Sequence, residues 1–176
     1  NFNPQSIHLP QDYLARHGIE LARLRSLLGQ FSRLKVCVLG DLIIDEYINC
    51  QPLGMSQEDP TIVVTPTDST RFIGGAGIVA AHAAGLGAGV QFYSVTGRDA
   101  MREFALDGLR QAGVHAWLLE DESRPTTLKQ RFRSQGKSLL RVSHLHERAI
   151  SLGLQGQLLA VLAAALVTAG VAISAT

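Results

Sequence analysis

The sequence predicts an α/β fold in which a parallel sheet is flanked by helices. Short, mostly apolar runs at residues 35–39, 90–95 and 115–119 have the length expected of strands buried on both faces. Segments of helical character alternate with these runs, and this alternation is typical of a parallel sheet covered by helices. With 176 residues, 46% of them hydrophobic and 18% charged, the chain is long and apolar enough to form one sizeable core.

Residues 1–33 are predicted to form a helical extension or linker ahead of the main domain. Apolar side chains recur at three- and four-residue spacing between Asp12 and Phe31, with arginines between them. This periodicity is typical of an amphipathic helix. We expect this helix to pack on the domain edge or to connect to something upstream.

The first predicted strand, Lys35 to Leu39, is followed by several carboxylates. Asp41 comes directly after the strand and one glycine, and Asp45 and Glu46 follow a few residues later. Ligands of open α/β sheets commonly lie at the carboxyl ends of the strands, so these side chains are candidates for ligand contacts. The alternative is that Asp41 caps a turn while Asp45 and Glu46 are simply solvated.

Two separate parts of the chain, at about 47–72 and 126–143, predict a small antiparallel β-lid. The first part contains short β-prone pieces at residues 61–64 and 69–72, and its prolines, from Pro52 to Pro66, suit edge strands. The second part has two strand-like runs around Gln135-Gly136, which indicates a hairpin. We expect both parts to join in one antiparallel layer that forms a lid or a dimer surface.

The stretch from Phe72 to Asp99 contains the clearest candidate binding element. Gly74 to Gly77 opens an alanine-rich helix, and glycines let the backbone come close to a ligand. The free N–H groups and the positive end of the helix dipole can receive a sugar hydroxyl, a phosphate or a carboxylate at this turn.

The last elements predicted are two helices and one strand. The helices cover Met101 to Ala112 and Leu154 to Ala169, and a buried strand begins at Val171 and runs to Ser174. Because the chain stops within this strand, we expect the sheet to be truncated.

The composition argues against several classes of protein. The formal charge of +1 balances 16 basic against 15 acidic residues, which gives no sign of binding to nucleic acid or to an anionic membrane. The most hydrophobic segment, Leu158 to Val167, is shorter than the ~20 residues needed to span a bilayer. We see no secretory signal, and the two cysteines imply no disulfide framework, so we expect a cytoplasmic protein.

Five motifs occur in an order found in one known family. They are LGDLIID (residues 39–45), MSQEDP (55–60), GGAG (74–77), SRPTTLK (123–129) and SLLR (138–141). Together they resemble the ribokinase-like (PfkB-type) carbohydrate kinases, and among these the heptose-phosphate kinases of ADP-heptose synthesis. The resemblance covers roughly Lys35 to Thr176 and implies that residues 34–176 form the N-terminal half of a kinase domain.

The resemblance implies a reaction, its cofactors and its partners. The expected reaction is an ATP-dependent transfer of a phosphoryl group to a hydroxyl of a sugar phosphate, and a homodimer formed through the β-lid is a further expectation. ATP, Mg²⁺ and the catalytic base belong to the second half of such domains, beyond Thr176. A polypeptide of these residues alone is therefore not expected to catalyse the transfer.

The resemblance also implies roles for individual residues. By position, Asp45 would accept hydrogen bonds from sugar hydroxyls, and Gly74 and Gly75 would let the backbone approach the ring. Lys129 and Arg141 would neutralise a substrate phosphate, because a guanidinium can grip it bidentately and an ammonium acts as a point charge.

Four further positions bear on this assignment. Arg131 is a third basic residue of the lid, and we interpret it as an exposed charge. Ile78 and His82 stand where the family usually has Asn, and Ser143 stands where an Asp commonly follows the SLLR stretch. A non-catalytic module that binds a sugar phosphate or a partner chain is therefore the main alternative.

Two other sites are conceivable from the sequence. Residues 75–80 match G-x-G-x-x-A, and Asp99 could then contact a ribose, but the preceding segment is polar and broken by prolines. His144 and His146 would share one face of a strand and, with Glu147, form a partial metal site. A polar strand end is the simpler interpretation of these three residues.

Overall fold

The computed structural model describes residues 10–169 and 172–175. The helices and strands alternate along most of the chain. In order they are α1 (Gln11–Arg16), α2 (Leu21–Gln30), β1 (Lys35–Leu39), β2 (Leu42–Met55), β3 (Ile62–Gly74), α3 (Gly75–Gly85), β4 (Gly89–Thr96), α4 (Ala100–Gln111), β5 (Val114–Glu120), β6 (Thr127–Ser134), β7 (Lys137–His144), α5 (Leu152–Ala169) and β8 (Ala172–Ala175).

The main sheet has the strand order β5-β4-β1-β8, and its strands are all parallel. Side chains alternate between its two faces, so Val38 and Phe92 pack against α3 and α4, whereas Cys37 and Tyr93 pack against α5. Helices thus cover both faces, which confirms the fold class predicted from the apolar runs. The core on the α3 and α4 side is the larger, and it includes the fully buried Ile44 and Leu109.

The second sheet, which we call the lid sheet, has the order β3-β2-β6-β7. The hairpin around Gln135-Gly136 is confirmed, since both residues have positive φ, +47° and +79°, as a two-residue hairpin turn requires. The β2–β3 and β6–β7 pairs are antiparallel, but the central β2–β6 pair is parallel. The reason is that β2 follows β1 and β6 follows β5, so both strands leave the same edge of the main sheet.

Strand β2 tolerates a proline because its partner β6 covers only part of it. The β2–β6 pairing extends from Ile43 to Asn49, so Pro52 lies beyond it. The pairing with β3 shifts register between Asn49 and Cys50 and again between Pro52 and Gly54. Strand β3 is an edge strand and contains Pro66, as the proline pattern predicted.

The single helix expected between Asp12 and Phe31 is wrong, because the structure has two. Helix α1 ends where Gly18 adopts a φ of +59°, and Ile19 N–H donates to the Leu14 carbonyl at 2.8 Å. This is the geometry with which a glycine terminates a helix. The periodicity of the leucines continues across this break, which explains why the sequence suggested one helix.

Helix α5 is apolar around its circumference, but only part of it is covered. Leu158, Val161, Leu162 and Ala165 lie on the main sheet, whereas Leu152 is 84% exposed. In the part of the chain that the structure describes, no helix is both long and apolar enough to cross a membrane. The strand predicted to begin at Val171 is observed as β8, although Val171 itself lies outside the described residues.

Candidate functional site

The candidate site lies on one face of the lid sheet, beside the N-terminus of α3. Asp45 of β2 pairs in register with Phe72 of β3 and with Lys129 of β6. The neighbouring residues Ile44 and Glu46 point to the opposite face and are buried. We call the face that carries Asp45 the site face.

Two glycines at the start of α3 are closely packed against neighbouring atoms. A Cβ atom on Gly74 would collide with Oδ2 of Asp45, and one on Gly75 would collide with the carbonyl oxygen of Asp41. Gly75 also has a φ of +56°, and Ala76 N–H donates to that same Asp41 carbonyl at 2.9 Å. The turn therefore brings the Asp45 carboxylate against the first residues of the helix, while Asp41 shapes the turn through its backbone.

Arg131 is the immediate partner of Asp45. Its Nη1 donates to Oδ1 of Asp45, and the side chains of Arg131 and Asp45 are only 24% and 22% exposed. The hydrogen bond to Asp45 raises the pKa of the Arg131 guanidinium above its usual value. The interpretation of Arg131 as a free exposed charge is therefore wrong, because the parallel β2–β6 pairing brings two residues 86 positions apart into contact.

The other basic side chains of the site face have no carboxylate partner among the described residues. Lys129 is half-buried, and Arg141 is exposed and pairs in register with Arg131. Arg133 donates to the Gly136 carbonyl at 2.9 Å. Like charges on directly opposed residues are unfavourable in a sheet, so this arrangement favours the approach of an anion.

Aromatic side chains on the site face complete a cleft of about 560 Å³. The rings of Tyr47 and Phe72 are 5.7 Å apart in an edge-to-face arrangement, and the guanidinium of Arg131 lies 5.1 Å from the Tyr47 ring centre. The residues that line the cleft are Asp45, Tyr47, Asn49, Thr70, Phe72 and Arg133. Aromatic walls with a few polar groups suit a polar ligand that also has an apolar face.

The sequence reasoning missed Tyr47, Phe72 and Arg133 as members of this cleft. A signal existed for the first, because Tyr47 lies two residues after Asp45 and must share its face in any strand. Phe72 and Arg133 could be placed only through the register of β2 with β3 and β6.

The face of the lid sheet opposite the site face holds a polar network that spans all four strands and is centred on the buried Glu46. Glu46 accepts hydrogen bonds from Arg71 at 2.8 Å and from Gln130 at 2.7 Å, and His144 contacts Gln130 at 3.0 Å. Burial raises the pKa of Glu46, but the hydrogen bonds from Gln130 and Arg71 outweigh it and hold the pKa below its usual value. The network fixes the strands that position Asp45 and Arg131.

The partial metal site is not formed in the structure. His144 is hydrogen-bonded to Gln130, and Glu147 is exposed. Within residues 10–169 and 172–175, no three side chains of His, Cys, Asp or Glu lie close enough together to hold a metal ion.

The dinucleotide interpretation is wrong. The helix over residues 75–80 follows β3, an antiparallel strand of the lid sheet, rather than a strand of the parallel sheet. Asp99 caps α4, since its carboxylate accepts from Met101 N–H at 3.1 Å and Arg102 N–H at 3.0 Å, and its other oxygen accepts from Thr126 N–H at 2.8 Å. Burial raises the pKa of Asp99, but these hydrogen bonds outweigh it and hold the pKa low.

A second cleft, of about 660 Å³, lies at the carboxyl edge of the main sheet. Asp41, Ser94, Arg124 and His146 are among the residues that line it. Arg124 closes one side, since it pairs with Asp121 at 2.6 Å and donates to the carbonyls of residues 148 and 149. This is the usual position of ligands in open α/β sheets.

Comparison with known proteins identifies the relatives of this chain. Residues 33–167 match the family described as pfkB family carbohydrate kinase. The bifunctional protein HldE of Rhodopseudomonas palustris is 35% identical over 116 residues, which cover 65% of this chain and 24% of that protein. The chain thus spans about a quarter of the length of this curated relative.

Solved structures share the fold. The ribokinase of Giardia lamblia superposes with a TM-score of 0.53 at 19% identity, covering 73% of this chain and 42% of that one. An Arabidopsis thaliana ribokinase complexed with ribose and ATP gives 0.52 at 20% identity, covering 62% and 35%. The two sheets described above therefore form the fold that these solved ribokinases have.

Proposed function

The chain belongs to the pfkB family of carbohydrate kinases, and on this premise we propose that it is the sugar-binding half of an ATP-dependent sugar kinase. One observation supports this most directly: Asp45 lies against the N-terminus of α3 with its Oδ2 atom beside Gly74. A carboxylate oxygen beside a turn without side chains can accept hydrogen bonds from the hydroxyls of a sugar.

We propose that the sugar ring lies on the site face between Asp45, Gly74 and Gly75. The carboxylate accepts hydrogen bonds from two hydroxyls, and the missing side chain of Gly74 lets that carboxylate lie directly against the helix start. Phe72, which is 52% exposed, offers an apolar surface to the C–H groups of the ring.

The substrate is proposed to be a sugar phosphate of the heptose-phosphate type. Lys129 and Arg141 supply the positive charge for its phosphate. Ser143 pairs directly with Lys129 in the sheet, so the acidic residue that the family often has there does not neutralise Lys129 in this chain. The similarity to the bifunctional protein HldE supports this choice of substrate class.

ATP and Mg²⁺ are assigned to no residue of this chain. Phosphoryl transfer needs groups that hold the nucleotide and the metal and that accept the hydroxyl proton. Among the described residues, no three side chains of His, Cys, Asp or Glu lie close enough together to hold a metal ion. We therefore propose that this chain binds the acceptor sugar and that transfer requires the rest of the domain.

Dimerisation through the lid sheet and a cytoplasmic location are further proposals. Leu53 and Met55, at the outer end of β2, are each 64% exposed, and Leu140 in β7 is 57% exposed. These apolar side chains suit contact with a second lid. The two cysteines, Cys37 and Cys50, are both unpaired, which suits a reducing compartment.

Titration calorimetry with a heptose phosphate and with the unphosphorylated heptose tests the sugar site. Asp45→Asn is expected to weaken the binding of both ligands by about tenfold or more, because charge-assisted hydrogen bonds contribute ~1.5–3 kcal/mol. Arg110→Gln, which removes an exposed pair with Asp107, is the control and should bind like the wild type. Unchanged affinity in Asp45→Asn would remove Asp45 from the site.

The same titration decides between the kinase half and the non-catalytic module. Ile78 is 37% exposed in the first turns of α3, and with Ser143 it favours a pocket that differs from that of the typical family member. If the longest native form of the protein binds the sugar phosphate but no ATP analogue, the module without turnover is the better description.

A further inference from the structure

The two carboxylate oxygens of Asp45 have different surroundings. Oδ1 accepts the hydrogen bond from Arg131. Oδ2 lies against Gly74 and accepts no hydrogen bond from any of the described residues. One oxygen is therefore held by the protein while the other remains available at the start of α3.

Arg131 is itself held in place by its neighbours. It pairs in register with Tyr47, and its guanidinium lies 5.1 Å from the Tyr47 ring centre. A guanidinium over an aromatic face gains cation–π attraction, and its planar fork is already oriented for a carboxylate. With a side chain only 24% exposed, Arg131 has little freedom to leave Asp45.

We propose that Arg131 is a positioning residue that fixes the Asp45 carboxylate with Oδ2 directed at the N-terminus of α3. The proposal rests on the proposed sugar site and adds a residue that acts through Asp45. In this proposal the guanidinium of Arg131 acts on the carboxylate of Asp45, whereas Lys129 and Arg141 are the proposed partners of the substrate phosphate.

The physical basis is the cost of ordering a side chain. A carboxylate at the end of two rotatable bonds occupies several rotamers unless a partner selects one. With one oxygen held, the sugar meets an acceptor that is already oriented, so less of the binding free energy is lost on ordering it. Lysine in place of Arg131 would keep the charge but lose the planar fork.

A double-mutant cycle on the complete chain tests the proposal with the unphosphorylated heptose and with a heptose phosphate. Arg131→Gln is expected to weaken both ligands by the same factor, about fivefold or more, and to have no further effect in the Asp45→Asn background. Arg131→Lys should recover part of the loss. Thermal unfolding of each variant, beside the Arg110→Gln control, separates a binding effect from loss of the fold.

The possible outcomes are distinct. If Asp45→Asn weakens binding but Arg131→Gln causes an equal further loss in that background, Arg131 acts independently and the positioning role is overturned while the sugar site stands. A loss confined to the phosphorylated ligand would show that Arg131 grips the phosphate, and it also overturns the proposal. Unchanged sugar affinity in Asp45→Asn refutes the proposed site and the positioning role together.

A second measurement needs no ligand. In the free chain, Arg131→Gln is expected to shift the backbone amide NMR resonance of Gly74, because the charged oxygen beside it moves. The same substitution in the Asp45→Asn background should shift that resonance far less, and Arg110→Gln should leave it unchanged. A Gly74 resonance insensitive to Arg131→Gln would overturn the proposal whatever the ligand affinities.

Discussion

The main sheet and the lid sheet are stabilised in different ways. In the main sheet Val38, Phe92 and Tyr93 are at most 4% exposed, and helices cover both faces. In the lid sheet most residues of β3 and β7 are exposed, and polar contacts between strands, such as Asn49 to Asp68 at 2.7 Å, take the place of a core. Packing therefore maintains the fold in one sheet, while side chains of the other remain available for binding.

Strand β2 shows this difference within a single element. Its buried side chains Ile44, Glu46 and Ile48 alternate with the more exposed Ile43, Asp45 and Tyr47. Because the period of a strand is two residues, one stretch of sequence can serve the core and the site at the same time.

The largest expected effect on stability comes from removing a phenylalanine ring from the main sheet, and the matched change is to remove one from the lid sheet. Phe92→Ala removes a fully buried ring from the main core and should lower the free energy of unfolding by about 3–5 kcal/mol. Phe72→Ala removes a half-exposed ring from the lid and should cost about 1 kcal/mol, mainly its contact with Tyr47. Urea unfolding of both variants measures the difference. Equal losses of unfolding free energy would contradict the claim that packing stabilises the main sheet more than the lid sheet.

Two glycines sharpen the comparison, one at the junction of the two sheets and one before β5 of the main sheet. Gly75 and Gly113 both have positive φ, +56° and +76°, but only Gly75 lacks room for a Cβ. Gly113→Ala should cost about 1 kcal/mol of backbone strain, whereas Gly75→Ala should cost ~2–3 kcal/mol because the Asp41 carbonyl must also move. Thermal unfolding distinguishes them, and similar melting temperatures would mean that the turn relaxes without cost.

A third comparison concerns the polar network of the lid. Glu46→Gln should lower the free energy of unfolding by about 1–2 kcal/mol at pH 7, because charge-assisted hydrogen bonds are lost. The pKa of Glu46 is lowered in the fold, so its stabilisation is present above the usual value of 4.5 and is lost as the pH falls below it. The difference between wild type and variant should therefore shrink on acidification.

Urea unfolding between pH 7 and pH 3 checks this expectation. The control is Glu103→Gln, which removes an exposed partner of Arg102. It should change the stability little at any pH. A constant difference between the wild type and Glu46→Gln across this range would contradict the role of the buried carboxylate.

How far the sequence predicts the structure depends on whether a feature is local. The apolar runs at residues 35–39 and 90–95 became β1 and β4 with shifts of a residue at most, since burial on both faces imposes a continuous apolar pattern. The split of the first helix at Gly18 was also a local signal, but the leucine period concealed it. The parallel direction of the β2–β6 pair is set by the way these strands are connected to β1 and β5, so no local sequence signal predicts it.

The candidate site was predictable in part for the same reason. Asp45 and the Gly74-Gly75 turn belong to recognisable motifs, and the structure brings them into contact. The pairing of Asp45 with Arg131 depends on the register of two strands far apart in sequence, which no periodicity specifies. The roles of Lys129 and Arg141 in binding remain predictions.

The length of β2 also determines how the lid can move. Its 14 residues extend for about 45 Å, from the core at Leu42 to the lid tip at Met55, without a loop that could act as a hinge. The ladder with β3 is interrupted only near Asn49 and near Pro52, and bending should concentrate there. Bending at these two places would move the outer third of the strand relative to the site face, while Asp45, on the core side of both interruptions, would keep its position.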